Sequence, residues 1–241
     1  MTGISFRPSD GQMRVIEEAN RRAEEAVLGV RRAPDELVQR MSQEGQGVFA
    51  MSQVKLEKPM LNRPTLFLDL DDVLALSQRY RDLAVQHAMA SPEIAPKDLY
   101  EKVFSPQAVH ALNELIREFD PRVVLTTSWL SLLCRESFIL LFERTGVSIT
   151  LESLHPHWAV AQSEGISRHE AIDRWLECHH DGEPMVVLDD FASGEGLVDG
   201  LWHQAGRVVL CDVGVGFNST LLLEAREALR MPFNRMQPWH R

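Results

Sequence analysis

The chain has 241 residues, of which 44% are hydrophobic and 25% are charged, close to an average soluble globular protein. This composition excludes a disordered or fibrous protein, and the length fits one sizeable domain with an extension. The net charge is −10, which argues against binding nucleic acid through a globally cationic surface. Residues 1–64 carry a net charge of +1 and residues 65–241 carry −11, so the acidity belongs to the larger C-terminal part.

The cysteines and the apolar runs indicate the compartment. Three scattered cysteines with no CxxC pair are typical of a reducing compartment without structural disulfides. The first ten residues lack the apolar stretch of a signal peptide. The strongest apolar run, residues 138–142, ends at Glu143 and is far too short to cross a bilayer. We therefore expect a cytoplasmic protein with no membrane partner.

Residues 1–64 are predicted to form a helical extension and a linker. Ser9 and Gln12 fit a capping box, and a narrow apolar stripe then follows at helical spacing over residues 16–30. A second short helix is predicted after Pro34, and residues 46–64 show no sustained period. The stripe is mostly alanine and buries little area, which favours an arm folded on the main domain. The alternative is a homodimer formed through these helices.

From residue 65 onward, short apolar runs alternate with helical patterns. The predicted strands, which include a possible third, are 65–70, 122–127, 147–151, 185–188 and 207–211. Their richness in Val and Leu is typical of strands buried on both faces of a parallel sheet. Helices are predicted to begin at Ser105-Pro106, at Ser167 and at Thr220. The pattern predicts an α/β fold, a Rossmann-like three-layer α/β/α domain with a mainly parallel sheet over 65–241.

Polar side chains follow three of the predicted strands. Asp69 and Asp71 end the first, residues 126–128 end the second, and Asp189 and Asp190 follow the fourth. Ligands of parallel α/β sheets bind beyond the carboxyl ends of the strands, so we expect these groups at one edge. Carboxylates packed together need a cation, and oxygen ligands suit Mg²⁺. Each motif alone is common in loops and caps, but their shared position predicts a site.

These segments resemble the motifs of the haloacid dehalogenase-like (HAD) hydrolases. The segments similar to motifs I, II, III and IV are, respectively, LFLDLDDVL at 66–74, VVLTTS at 123–128, SRHEAIDRWL at 167–176 and VVLDD at 186–190. More narrowly, the sequence TSW combined with the motif III helix and LDD resembles the small HAD-like domains found beside RNA-repair enzymes. The resemblance covers about residues 65–230.

The resemblance implies a Mg²⁺-dependent phosphatase that acts through an aspartyl-phosphate. In that case Asp69 would be the nucleophile and a metal ligand. Asp71 would act first as general acid and then as general base, and its main-chain carbonyl would touch the metal. Asp189 would complete the metal site, and Asp190 would bind the metal directly or through water.

The residues after the second strand are candidates for substrate contacts. The resemblance implies that Thr127 binds a phosphoryl oxygen, or Thr126 if the strand ends one residue earlier. Ser128 and Trp129 are further substrate-binding candidates. Trp129 could stack on a substrate base, although an aromatic residue here more often packs a helix against the sheet.

The motif III cation departs from the family pattern. It is usually a lysine, yet this chain has no lysine after Lys102. Arg168 is our first choice, because it begins the predicted helix and its guanidinium suits phosphate oxygens. Arg174, Arg135 and His169 remain alternatives.

The segment between Val73 and Ser105 leaves room for a short helical flap and a minimal cap. A minimal cap would leave the site open, and an open site suits a phosphorylated small molecule or a nucleic-acid end. The net charge of −11 over residues 65–241 argues against the nucleic-acid end. The alternative is a HAD-like binding or regulatory module without turnover, which would use its N-terminal helices for association. A receiver-like phosphoacceptor would need a lysine after the fifth strand, and residues 207–212 contain none.

Overall fold

The computed structural model describes residues 63–77, 79–160, 165–194 and 196–235. The predicted N-terminal helices, nearly all of the predicted linker and the proposed self-association through these helices lie outside the described residues. The division into an extension over 1–64 and a domain over 65–241 therefore stays a prediction.

The described chain forms a five-stranded sheet in which all strands are parallel. Its strands are β1 Thr65–Leu68, β2 Arg122–Leu125, β3 Leu154–Ala159, β4 Met185–Asp190 and β5 Val208–Cys211. They are ordered β3-β2-β1-β4-β5, so β1 lies at the centre with β2 on one side and β4 on the other. The predicted α/β fold with a parallel sheet is confirmed.

Helices connect the strands. In chain order they are α1 Asp82–Ala90, α2 Leu99–Lys102, α3 Pro106–Phe119, α4 Arg135–Thr145, α5 Arg168–His179, α6 Leu201–Gln204 and α7 Ser219–Arg230, with a 3₁₀ turn at Ser128–Ser131. The predicted flap consists of α1 and α2. Among the described residues, we find no helix with the length and apolar character needed to span a membrane.

Side chains of the central strands alternate between two apolar clusters, one on each face of the sheet. In β1, Leu66 and Leu68 belong to the cluster that also holds residues of α3, α4 and α7, whereas Phe67 belongs to the cluster that holds residues of α5 and α6. In β4, Val187 also belongs to the α5 side. Strand side chains point alternately to opposite faces of the sheet. A residue at a strand end therefore lies on the same face as the residue two positions before it, and faces the same helices.

Two serines cap helices where the sequence predicted. The Ser105 hydroxyl accepts a hydrogen bond from the Ala108 N–H at the start of α3, and the Ser167 hydroxyl accepts one from the Glu170 N–H at the start of α5. Each cap satisfies a donor that the first helical turn leaves without a partner. Arg168 is consequently the first residue of α5.

The prediction of a third strand at 147–151 is wrong, because the strand that pairs with β2 is Leu154–Ala159. Val147 and Ile149 are buried, but they pack in the core after α4, and a turn follows them. β3 is one of the two edge strands of the sheet, a position that tolerates a proline such as Pro156, and most of its residues are only partly buried. An edge strand does not need the apolar run by which buried strands are detected.

The strand ends also differ from the predictions. β1 and β2 each end two residues earlier than expected, so Asp69 follows β1 directly and Thr126 follows β2 directly. β4 ends two residues later, so Asp189 and Asp190 are its last two residues. The polar groups therefore lie at the carboxyl edge of three adjacent strands.

Candidate active site

Asp69 and Asp189 lie side by side at the centre of the carboxyl edge. Leu68 pairs with Leu188 in the β1–β4 register, and the Asp69 N–H donates to the Leu188 carbonyl at 3.0 Å. Asp69 is two residues beyond Phe67, and Asp189 is two residues beyond Val187, so strand alternation turns both carboxylates toward the α5 side. Both side chains are almost completely buried.

Arg168 brings a positive charge to these two carboxylates. Its Nη2 lies 3.7 Å from Asp69 Oδ1, and its Nε lies 3.3 Å from Asp189 Oδ2. The arginine is itself 4% exposed, because α5 packs its first turn against the sheet edge. Among the motif III candidates, Arg174 instead pairs with Glu170 at 2.7 Å on an exposed face, and the His169 ring packs against Trp202. The described contacts give Arg135 no ion pair with the site carboxylates.

Asp190 completes a cluster that can hold a metal ion. Asp69, Asp189 and Asp190 each offer an oxygen within 4.8 Å of the others, and all three are buried. The Ser193 hydroxyl contacts Asp69 Oδ2 at 3.4 Å and Asp189 Oδ1 at 3.2 Å, and it also lies close to Asp190 Oδ2. A hydroxyl has a single proton to donate, so it cannot satisfy three carboxylates.

Two buried oxygens of this cluster, Asp69 Oδ1 and Asp189 Oδ2, accept no hydrogen bond in the described structure. Both face the Arg168 guanidinium, which supplies one positive charge to the three carboxylates. Buried oxygens left without donors are costly unless a cation compensates them. An all-oxygen donor set of this kind suits a hard divalent ion. The residues present therefore fit the divalent metal that this class of site implies.

The electrostatics of the cluster favour protonation when no metal is bound. Burial raises the pKa of Asp69 above its ordinary range, Arg168 lowers it, and the neighbouring Asp189 and Asp71 raise it again. Burial likewise raises the pKa of Asp189, against the lowering effect of Arg168. One arginine does not neutralise three adjacent carboxylates, so the ionised site has an excess of negative charge that a further cation would balance.

Asp71 lies outside the metal cluster, in the turn that follows β1. Its Oδ2 accepts hydrogen bonds from Trp129 Nε1 at 2.9 Å and from the Ser128 hydroxyl at 3.2 Å. Arg81 Nη1 lies 3.7 Å from its Oδ1. Burial raises the pKa of Asp71, and the hydrogen bond from Trp129 and the charge of Arg81 oppose that rise. The predicted metal contact of Asp71 is through its main-chain carbonyl and not its carboxylate, and it stays a prediction.

Thr126 and Thr127 both follow β2 and are both buried. Leu68 pairs with Leu125, and the Thr126 N–H donates to the Leu68 carbonyl at 2.9 Å, so Thr126 lies beside Asp69. Its hydroxyl has no hydrogen-bond partner in the described structure. The Thr127 hydroxyl accepts from the Trp129 N–H as the cap of the 3₁₀ turn. Both hydroxyls retain a proton that a phosphoryl oxygen could accept.

The prediction that Trp129 stacks on a substrate base is wrong, because its ring has no exposed surface. The ring packs against Phe104 in the core, with the centroids 6.1 Å apart. Its polar edge contacts Asp71 instead. The burial has a physical reason, since the 3₁₀ turn directs Trp129 into the apolar cluster and leaves Ser128 exposed.

Sequence reasoning missed Arg81 and Ser193. Arg81 precedes α1, and its Nη2 donates to Asp72 Oδ2 at 3.2 Å. Ser193 follows β4 by three residues, and Gly194 allows the close turn there, since a Cβ at that position would meet the Asp190 carbonyl at 2.7 Å. Neither residue belongs to a motif, although a small-residue turn after Asp189-Asp190 was visible in the sequence.

The comparisons with known proteins agree with this geometry. The family described as the HAD domain in Swiss Army Knife RNA repair proteins matches residues 65–222, which include all five strands and every site residue described above. No curated protein matches the chain, and no solved structure matches it. The match covers well over half of the chain, and the chain therefore belongs to the family of HAD domains found in Swiss Army Knife RNA repair proteins.

Proposed function

We propose that this protein is a Mg²⁺-dependent phosphatase that hydrolyses a phosphomonoester through an aspartyl-phosphate on Asp69. The observation that carries the proposal is the buried cluster of Asp69, Asp189 and Asp190 with Arg168 beside it and Asp71 two residues from the nucleophile. Membership of the family indicates a HAD-type hydrolase. The metal, the residue roles and the substrate are the proposed part.

The metal would be held by Asp69, Asp189 and Asp190. When bound, Mg²⁺ neutralises these carboxylates and polarises the phosphoryl group. Arg168 stabilises the anionic Asp69 and Asp189 from the α5 side, since its guanidinium lies within 4 Å of both. Arg168 and the bound metal together would keep the nucleophile ionised despite its burial.

The first half of the reaction transfers the phosphoryl group to Asp69. A carboxylate oxygen of Asp69 attacks phosphorus, and the bond to the leaving-group oxygen breaks. Asp71 gives its proton to that oxygen, so an alcohol leaves and Asp71 becomes a carboxylate. Thr126 or Thr127 donates a hydrogen bond to a phosphoryl oxygen.

The second half returns the enzyme to its starting state. A water molecule attacks phosphorus and gives its proton to Asp71, while the bond between Asp69 and phosphorus breaks. Inorganic phosphate leaves, and Asp69 is again a carboxylate. The acid of the first half thus acts as the base of the second half.

For the substrate we propose a phosphomonoester on an accessible end, with a phosphorylated nucleotide or RNA end as the leading class. The family description associates these domains with RNA repair, and the described chain between β1 and α3 holds two short helices, α1 and α2, instead of a large cap domain. The net charge of −11 over residues 65–241 opposes tight binding of long nucleic acid, so we expect contacts restricted to the terminal nucleotides.

The test is turnover of an aryl phosphate and of 5′- and 3′-phosphorylated oligoribonucleotides, with Mg²⁺ and with EDTA. We expect Mg²⁺-dependent release of phosphate from the wild-type protein. Asp69→Asn should reduce it by about a thousandfold or more, because an amide cannot form the covalent intermediate. Asp199→Asn is the matched control, an exposed aspartate whose substitution should leave turnover unchanged.

Undiminished turnover in Asp69→Asn would refute the mechanism. Absence of turnover on the whole panel, together with Mg²⁺ binding detected by a rise in melting temperature, would instead favour a binding module. Asp189→Asn should remove that thermal shift in either case, since it removes a cluster oxygen.

A further inference from the structure

We propose that Trp129, assisted by Ser128, is a positioning residue for Asp71 that holds its carboxyl group in one orientation for proton exchange with the leaving group. The inference rests on the proposed function and adds to it. It replaces the contact between Trp129 and substrate that the sequence suggested.

The two donors converge on one oxygen. Trp129 Nε1 donates to Asp71 Oδ2 at 2.9 Å, and the Ser128 hydroxyl donates to the same oxygen at 3.2 Å. Asp71 Oδ1 accepts no hydrogen bond from the described residues, with Arg81 Nη1 at 3.7 Å from it. The two donors therefore hold Oδ2, while Oδ1 is buried and faces Arg81.

The main donor is held rigidly. The Trp129 ring is fully buried and packs on Phe104, and its backbone lies in a 3₁₀ turn capped by the Thr127 hydroxyl. An indole has one N–H in a fixed direction, so this donor cannot follow the carboxylate elsewhere. The Thr127 cap therefore fixes the turn that carries both donors to Asp71, Ser128 and Trp129.

The acceptor is held from its own side as well. Asp71 forms an isolated β-bridge with Ala75, and the Asp72 N–H donates to the Ala75 carbonyl at 3.1 Å. The loop after β5 contacts the same turn, because the Gly214 N–H donates to Asp72 Oδ1 at 3.0 Å. With backbone and Oδ2 both anchored, the remaining carboxyl oxygen has a defined direction.

The consequence is a defined path for the proton. When Asp69 attacks phosphorus and the ester P–O bond breaks, the electron pair stays on the leaving oxygen, which takes the proton from Asp71. The products are the alcohol and the aspartyl-phosphate. The importance of this transfer depends on the leaving group, because a strongly basic alkoxide needs the proton, whereas p-nitrophenolate leaves without it.

The experiment compares kcat/KM for p-nitrophenyl phosphate and for an alkyl phosphate such as glycerol phosphate in Trp129→Phe. The value of kcat/KM reports the steps up to aspartyl-phosphate formation, so the later hydrolysis of that intermediate does not mask the effect. We expect about a tenfold loss on the alkyl phosphate and less than about a threefold loss on the aryl phosphate. Trp158→Phe, outside the proposed machinery, is the matched control and should lose equally little on both.

Two further variants separate positioning from a packing defect. Ser128→Ala alters an exposed residue and should lower kcat/KM by about threefold on the alkyl phosphate. Its loss on the aryl phosphate should be smaller. In an Asp71→Ala background, Trp129→Phe should cause no additional loss on the alkyl phosphate, because the group it positions is gone. Equal losses on both substrates in the Trp129 and Ser128 variants, or additive losses in the double variant, would overturn the proposal.

A readout without turnover tests the hydrogen bond itself. Of the five tryptophan indole N–H signals in the NMR spectrum, the one that Trp129→Phe removes should move in Asp71→Ala. An unmoved signal would overturn the inference while leaving the proposed function intact. Conversely, a wild-type protein without turnover refutes the proposed function and this inference with it, whatever the signal does.

Discussion

At the scale of single residues, burial determines the behaviour of the carboxylates at the sheet edge. Asp69 and Asp189 are both almost fully buried, where an ionised group is stable only beside an opposite charge. Arg168 supplies part of that charge from a position that is itself buried. The two carboxylates should therefore depend on Arg168 for their stability, and all three side chains should be needed for turnover.

Arg168→Gln tests this dependence. We expect turnover to fall by about a hundredfold, as when a preorganised donor is removed. The free energy of unfolding should fall by about 3 kcal/mol, because a buried pair loses one partner. Phosphate release and urea unfolding measure the two effects.

The control is Arg174→Gln on the same helix, whose side chain is 59% exposed in an ion pair with Glu170. It should change stability by less than about 0.5 kcal/mol and leave turnover unchanged. A large activity loss in this variant with little loss in Arg168→Gln would reassign the motif III cation.

The raised pKa of the buried carboxylates predicts how pH affects the metal-free protein. Burial raises the pKa of Asp69 and Asp189 above the ordinary value of 3.8. The folded state then keeps protons that the unfolded chain releases, so these groups lower the stability as pH rises above 3.8 through the raised values. Since Mg²⁺ binds the ionised forms, it should raise the melting temperature more at about pH 8 than at about pH 5.

The comparison of wild type with Asp69→Asn in EDTA isolates this effect. The asparagine does not titrate, so the variant should be the more stable protein, and the difference in free energy of unfolding should grow from about pH 5 to about pH 8. Burial lowers the pKa of His155 to about 4, so this group makes the protein more stable as pH rises. Both proteins contain His155, so its effect cancels in the comparison. A difference that stays constant with pH would contradict the prediction.

At the scale of elements, the cap of α5 connects local structure to the site. The Ser167 hydroxyl accepts from Glu170 N–H at 3.2 Å, and the next residue is Arg168. Ser167→Ala should lower the free energy of unfolding by about 1 kcal/mol, and it should also lower turnover, because the first turn that holds Arg168 loosens. Chemical denaturation and phosphate release give the two quantities.

Ser105→Ala is the matched cap variant. Ser105 caps α3 in the same way, through the Ala108 N–H at 3.5 Å, but α3 contributes no residue to the site. The stability loss should be similar and turnover should stay within about twofold of wild type. If both variants lose turnover equally, the effect of Ser167→Ala is one of general stability.

At the scale of the whole molecule, the sheet order assembles the site. β1 lies between β2 and β4, so the central strand brings Asp69, the proposed nucleophile. Its neighbours bring the threonines and the proposed metal ligands Asp189 and Asp190. Every site residue and both apolar clusters lie between residues 65 and 235. These clusters and the site are those of the described residues, and we predict that the catalytic unit that we propose works without the N-terminal extension.

A chain that begins at residue 61 tests this independence. We expect it to unfold cooperatively and to keep kcat/KM within about threefold of the full chain. Light scattering on both chains also tests the predicted self-association, since a dimer that becomes a monomer on truncation would place the contact in residues 1–60. Loss of turnover despite cooperative unfolding would contradict the domain assignment.

Local patterns were sufficient for much of this architecture. Buried parallel strands are continuous apolar runs, and helix caps are set by neighbours three residues away, so β1, β2, β4, β5, Ser105 and Ser167 could be predicted. The edge strand β3 could not, because its identity depends on pairing with β2 and not on its own hydrophobicity. VSITL at 147–151 looked more like a strand than the half-exposed segment that forms one.

The sequence by itself determined that carboxylates and hydroxyls follow the buried strands, and hence that they meet at one edge of a parallel sheet. Only the tertiary structure decided which groups contact each other. Trp129 turns its N–H to Asp71, Ser193 contacts the metal cluster, and Arg168 rather than Arg174 reaches Asp69. These contacts join residues far apart in the chain, through strand register and helix packing that no local pattern encodes.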